Sequence, residues 1–440
     1  MRVLVIGLAA LVAGCGSIAD LNPFGVKDTK LVGDRETVFT TTTAMMRPED
    51  MKSASVGPAR ANNDWPQPGG NAQNAPGHLA FNGGGSRAWR AQVGGTSISG
   101  LTATRGTLRI SARPVVAGDR VFVYSPDGAV TALTASSGGR AWRTSLRPES
   151  ERDWASGGGV TVDGGRVFVA TGYGEVAALS AQNGEVLWRR EVDTPIRGAP
   201  TAGAGKVFVV SKKNEVFAIN QEDGAEAFTY DGIPEQAGLM SVASPAVSGD
   251  KVVVPYSSGE LMAFSVESGE PTWQEFVTRS MRTLAVSGLM DVSGSPVIDG
   301  GIVYATGIAG RTVAVKLSDG SKVWERDVGS AHTPVVSGDA VFLIDLANRM
   351  IALSRSSGEI LWMTELPKPH KKKDQAYAGP ILAGNALYAI SNDGRLATVD
   401  PITGQLKGDR KIGSPAYTAP IVAAGQMIIV SDTGEITALR

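Results

Sequence analysis

Histidine is the side chain best suited to acid–base work and metal binding near neutral pH. This chain has three of them, His78, His332 and His370. A metal site needs several donors at close spacing, and a nucleophile needs a base beside it. The three histidines stand far apart in sequence with neither arrangement around them, so each reads as a surface or hydrogen-bonded residue. Gly172-Tyr173-Gly174 has a phosphate-loop look, but it falls between strands rather than before a helix, where a dinucleotide loop belongs. One basic cluster, Pro369-His370-Lys371-Lys372-Lys373-Asp374, reads as a solvated loop, with contact to anionic lipid or an acidic partner as the alternative. Lys and Arg total 42 against 43 Asp and Glu, a net charge of -1 that gives no reason to expect nucleic acid as a partner. These residues point to no catalysis, no metal and no cofactor.

The single cysteine, Cys15, cannot form an internal disulfide. Its surroundings give it another use. Arg2 supplies a positive start, Leu4 to Val12 is apolar, and Ala13-Gly14 places small residues directly before Cys15. That is a signal-peptide layout, with an apolar run too short to span a bilayer, which needs roughly twenty residues. Val12-Ala13-Gly14-Cys15 resembles the lipobox of bacterial lipoproteins. The resemblance implies cleavage before Cys15 and its lipidation, with two or more acyl chains needed for a stable anchor. Gly16, rather than Asp, follows the cysteine and implies sorting to the outer membrane, facing the periplasm. Residues 1–14 are thus expected to be a signal peptide. Residues 15–63 show little periodicity and are expected to form a largely irregular tether.

Beyond the tether the chain repeats. Ala and an apolar residue are followed by a Gly and then, after three variable residues, by a Trp. Ala132-Leu133 leads to Gly138 and Trp142, Ala178-Leu179 to Gly184 and Trp188, Ala352-Leu353 to Gly358 and Trp362. Two copies degenerate, reaching Phe228 and Gly408 where Trp stands elsewhere. Each copy is preceded by a β-branched run such as Val207-Phe208-Val209-Val210, by a Gly turn, and often by a Pro opening a further short strand. Four short antiparallel strands in a unit of about 38 to 53 residues is the content of a propeller blade. The Trp residues, one per blade at fixed spacing, read as plates filling the gap between blades rather than as a cofactor box. The small Ala is expected near the crowded centre, letting blades approach.

The ends complement each other. The last copy stops at Ala438-Leu439, while Gly85-Ser86-Arg87-Ala88-Trp89 has the missing Gly and Trp and no Ala-apolar pair before it. Together they make one blade. Residues 64–440 are therefore expected to form an all-β, eight-bladed propeller of four-stranded antiparallel blades, closed by N-terminal strand pairing with the C-terminal strands. A seven-bladed ring with one miscounted repeat is the alternative. Two interblade segments are long, Asp231 to Ser244 with Leu239 and Met240, and Arg279 to Ser295 with Leu289, Met290 and Asp291. Their loops should leave the same face. The apolar residues suit a protein-binding patch, or else fold back onto the core.

The Gly-x-x-x-Trp blades resemble the repeats of quinoprotein dehydrogenases, whose enzymes carry a paired-cysteine ring that one cysteine cannot supply. Lipobox, tether and eight such blades together resemble the BamB family, lipoprotein subunits of the outer-membrane β-barrel assembly machinery. Asp153-Trp154 leading to Gly158-Gly159-Val160, and Leu289-Met290-Asp291-Val292 leading to Pro296-Val297, look similar locally. The resemblance implies a non-catalytic scaffold that binds the periplasmic domains of a BamA-like core subunit through two neighbouring loops. It also implies a role in handling unfolded outer-membrane proteins. Leu239 and Asp291 fall on family contact positions, whereas Met240 replaces a family Arg and Ser293 a family Asp. A quinone-cofactor dehydrogenase and a generic periplasmic binding propeller are the alternatives.

Overall fold

The computed structural model describes residues 46–83, 85–94, 110–233, 243–277, 292–369, 375–413 and 415–440. Cys15 lies outside the described residues. The described residues form eight four-stranded antiparallel sheets, the eight blades expected from the repeat count. Blade 1 comprises Val115–Ala117, Arg120–Ser125, Ala129–Thr134 and Arg140–Ser145, running from the channel outward. Blades 2 to 7 follow in chain order. Blade 8 takes Ile421–Ala423, Gln426–Val430 and Glu435–Leu439 from the C-terminus and its outer strand, Arg87–Gln92, from the N-terminal side. Trp89 pairs with Ala438, and Ser86 and Arg440 exchange backbone hydrogen bonds of 3.1 and 2.9 Å. One apolar cluster joins Ile381 of blade 7, Ile428 of blade 8 and Val121 of blade 1, so the ring is closed by packing as well as pairing.

The repeated Gly and Trp meet across blade boundaries. Trp142 of blade 1 lies against Gly184 of blade 2, so close that a Cβ there would stand 2.5 Å from the ring. The same contact joins Trp89 to Gly138, Trp188 to Gly224, Trp273 to Gly320, Trp324 to Gly358 and Trp362 to Gly404. Each of these indoles also donates to a carbonyl of the next blade, as Trp89 Nε1 does to Ala135 O (2.8 Å) and Trp324 Nε1 to Arg355 O (2.8 Å). The degenerate copies now have an explanation. Phe228 covers Gly269 with a ring that has no N–H to donate. Gly408 of blade 7 faces blade 8, whose corresponding turn is the break between the two chain ends, so there is no Gly turn to cover. The Ala expected near the centre is instead on the third strand of its blade. It pairs directly with the Trp, as Ala132 does with Trp142, and the ladder slips by one residue just after it. The small side chain leaves room for the indole to lean toward the next blade.

The inner strands would present open edges to the channel. In blade 1 the hairpin turn at Gly118-Asp119 pairs Ala117 with Arg120, which turns the backbone groups of Val116 inward. Residues 62–79 cover them. Trp65 and Val116 exchange backbone hydrogen bonds of 2.7 and 2.8 Å. At the equivalent positions of blades 2, 4 and 5, Val162 N donates to Pro66 O (2.7 Å), Val247 N to Ala72 O (2.7 Å) and Ile298 N to Gln73 O (2.9 Å). The Gln67 amide brackets Ala202 with bonds of 2.6 and 3.2 Å. Leu79 N donates to Leu382 O (3.1 Å) and Asn62 Nδ2 to Val422 O (3.0 Å). This strap thus visits seven of the eight inner strands among the described residues. It lies on the side of the short inner hairpin turns, since Asp64 accepts from Gly118 N and Leu79 O from Gly384 N. His78 clamps it, donating from Nδ1 to Gly57 O (2.7 Å) and accepting at Nε2 from Asn385 N (3.2 Å). Residues 52–57, within the expected tether, bond to blades 6 and 7 through Lys52 N to Leu361 O and Ala54 N to Ile402 O.

Two outcomes are expected. Gly184→Ala combines a positive φ of 76° with the Trp142 overlap, whereas Gly205→Ala has the same φ and open space around it. Chemical denaturation should show the first costing about 3 kcal/mol or more and the second about 1 kcal/mol. Trp65 is fully buried, so Trp65→Ala should cost about 3–5 kcal/mol of strap attachment. Limited proteolysis should then cut between residues 62 and 79 and leave a resistant fragment beginning near Arg87.

Candidate functional site

The two long interblade segments join outer to inner strands. One follows the outer strand Glu226–Asp231 of blade 3 and leads to Ala246–Ser248; the other follows Pro271–Phe276 of blade 4 and leads to Val297–Asp299. Both are the same kind of connection in adjacent blades, so both leave the ring on one face, opposite the strap. Leu239 and Met240 of the first segment, and Leu289, Met290 and Asp291 of the second, lie outside the described residues, as do His370 and Lys371 to Lys373. Their flanks are described.

Those flanks are fixed by specific contacts. Val277 and Val292, on either side of the second segment, are buried in the core shared by blades 4 and 5. Their amides donate to Gly259 O (2.9 Å) and Tyr256 O (3.3 Å). Asn214, in a turn of blade 3 with φ of 64°, ties the first segment to blade 4. Its Nδ2 donates to Ile233 O (2.7 Å), and its Oδ1 accepts from Ser257 Oγ (2.8 Å) and Ser257 N (3.2 Å). Beside these anchors two large apolar side chains are left in solvent, Ile233 at 55% and Phe276 at 50% exposure. Sequence reasoning passed over both. Phe276 looks like an ordinary strand residue, and only the end of its strand at the ring face exposes it. Ser293, where the resemblance would put an acidic contact, is buried and lines the central channel instead.

Among the described residues no group of three His, Cys, Asp or Glu side chains could hold a metal ion. His78 is committed to the strap. His332 lies in the channel wall, where burial and then the nearby Arg113 charge lower its pKa to about 4, leaving it neutral at pH 7.

The chain matches the family model described as Outer membrane protein assembly factor BamB over residues 77–153, 127–364 and 347–440. This chain belongs to the BamB family. A BamB of Vibrio cholerae is 38% identical over 218 residues, covering 50% of this chain and 56% of that protein, little more than half its length. The BamB of Yersinia pestis is 27% identical over 360 residues, covering 80% of this chain and 88% of that one. Among solved structures, BamB from Moraxella catarrhalis superposes with a TM-score of 0.67 at 21% identity, over 74% of this chain and 96% of that chain. The quinohemoprotein alcohol dehydrogenase of Comamonas testosteroni superposes with a TM-score of 0.65 at 14% identity, over 86% of this chain and 80% of that one, a likeness of fold alone. BamB membership accounts for quinoprotein-type blades in a chain with one cysteine.

Asn214→Ala should strand the Ile233 carbonyl and the Ser257 donors, at a cost of about 2–4 kcal/mol. Hydrogen exchange should then deprotect the amides of Gly232 and Ser257 while leaving Val121 in blade 1 unchanged.

Proposed function

We propose that this chain is a non-catalytic scaffold at the periplasmic side of the outer membrane, tethered by lipid on Cys15. It holds the periplasmic domains of a BamA-like core subunit and so aids insertion of β-barrel proteins. The observation that carries this reading is the pair of long connections leaving adjacent blades on one face, with Ile233 and Phe276 exposed at their bases. Exposed apolar side chains between rigid anchors suit a protein interface whose core is apolar and whose rim is polar. Leu239, Met240, Leu289 and Met290 would add apolar area, and Asp291 a charge for a basic partner residue. Met240 in place of a family Arg shifts the expected contact from ionic to apolar. No step in this role makes or breaks a bond.

The test uses the mature protein and the purified periplasmic domains of the cognate core subunit. Leu239→Glu combined with Asp291→Lys, and separately Phe276→Glu, should weaken binding by about tenfold or more in calorimetry, with melting temperatures unchanged. Wild-type affinity in both variants would remove the patch from the interface.

A further inference from the structure

The inner strands of all eight blades enter the channel through equivalent positions, three residues before the inward-turned residue of each strand. Seven of these positions hold Gly, Ala, Ser or Thr, among them Gly159, Ala199, Ser295, Thr333 and Ala419. Crowding explains the small side chains, since a Cβ on Gly159 would stand 2.5 Å from the Cβ of Ala199. The eighth position holds Arg113. Ring geometry alone gives no reason for a guanidinium where its seven counterparts are small.

Arg113 borders a cavity of about 60 Å³ whose floor is the strap at Pro68 and Gly69 and whose walls include Ser295, His332 and Thr333. No acidic side chain lines it among the described residues. Among the described residues Arg113 makes one hydrogen bond, a long one of 3.4 Å from Nη1 to Pro68 O. Burial alone lowers its pKa, to about 10, with no carboxylate offsetting the penalty. A half-buried cation with no counter-charge among the described residues is costly, and the neutral His332 beside it supplies none. The hydroxyls nearby are set up as donors. Ser295 Oγ already accepts from Ser244 N (2.9 Å), and Thr333 Oγ1 accepts from Ser295 N (3.1 Å), so each keeps its own proton for another acceptor.

We propose that this cavity is a binding site for a small oxyanion, the head of a carboxylate or a phosphate, held by the Arg113 guanidinium with the Ser295 and Thr333 hydroxyls. A planar guanidinium matches either group with two parallel hydrogen bonds. The cavity has room for several waters or for such a head group, a single water needing roughly 10–15 Å³ on the same measure. The strap forms the floor, so the site exists only when strap and ring are assembled. It shares Ser295 with the end of the second long interblade segment but none of the residues proposed to bind the core subunit, and stands or falls separately from the scaffold reading.

The mature protein, in Tris chloride free of other oxyanions, is titrated at constant ionic strength with inorganic phosphate in one arm and sodium acetate in the other. Calorimetry and the melting temperature are both followed. A saturable response is expected, and the tighter arm identifies the head group as phosphoryl or carboxylate. Arg113→Met should bind the favoured anion at least about tenfold more weakly. In anion-free buffer it should melt no lower than the wild type, because a half-buried charge with no acidic neighbour in the cavity has been removed. Thr333→Val, which keeps the side-chain volume, should weaken binding severalfold and serves if Arg113→Met fails to fold. No saturable response to either anion up to about 50 mM, or a full response in Arg113→Met or Thr333→Val, would overturn the proposal.

Discussion

The ring rests on one contact repeated between neighbouring blades, an indole laid over a glycine. A Trp on the outer strand of one blade lies against the tight turn of the next, and its N–H closes on a carbonyl there. The glycine is required twice over, once for a positive φ and once for the missing Cβ. Dispersion, apolar burial and a hydrogen bond are thereby concentrated at the boundary between blades, which a four-stranded sheet alone leaves unfilled. Because most blades offer both a Trp and a Gly, with Phe228 in place of Trp in blade 3, the contact propagates from blade 1 to blade 7. The N-terminal strand is what returns it to the start, where Trp89 of blade 8 covers Gly138 of blade 1.

A ring built this way still has an inner rim. The inner strands are only about three residues long in most blades, and their inward backbone groups would otherwise depend on channel water. The strap answers with backbone atoms where it can and with the amides of Gln67 and Asn62 where its path will not allow it. It turns one end of the channel into a floor. The opposite face is the one from which the two long interblade connections leave, so the two faces of the ring differ: one is floored by the strap and the other bears the exposed Ile233 and Phe276.

That division gives the scaffold reading its physical content. A binding surface on loops is useful only if the loops are held at fixed separation. Asn214, Val277 and Val292 hold their bases to adjacent blades through buried contacts. The exposed Phe276 ends its strand and Ile233 follows two residues after the end of its own, held through Asn214, so apolar area there can be buried against a partner at small entropic cost.

The sequence by itself determined the architecture. The spacing of Ala, Gly and Trp defined the blades, and the complementary fragments at Trp89 and Leu439 counted them and closed the ring. Local periodicity carries this because every blade solves the same packing problem with the same residue types. Tertiary structure alone decided the rest. The strap could not be read from residues 62–79, since most of its hydrogen bonds use backbone groups, which any residue possesses, and its partners are spread along the chain from Val116 to Val422. The loss of Trp at Gly408 looked like decay of a repeat and is explained by the chain break in the next blade. Arg113 was one arginine among many until seven small counterparts and a cavity without an acid surrounded it. Contacts between elements distant in sequence leave no periodic trace, and only the folded ring brings them together.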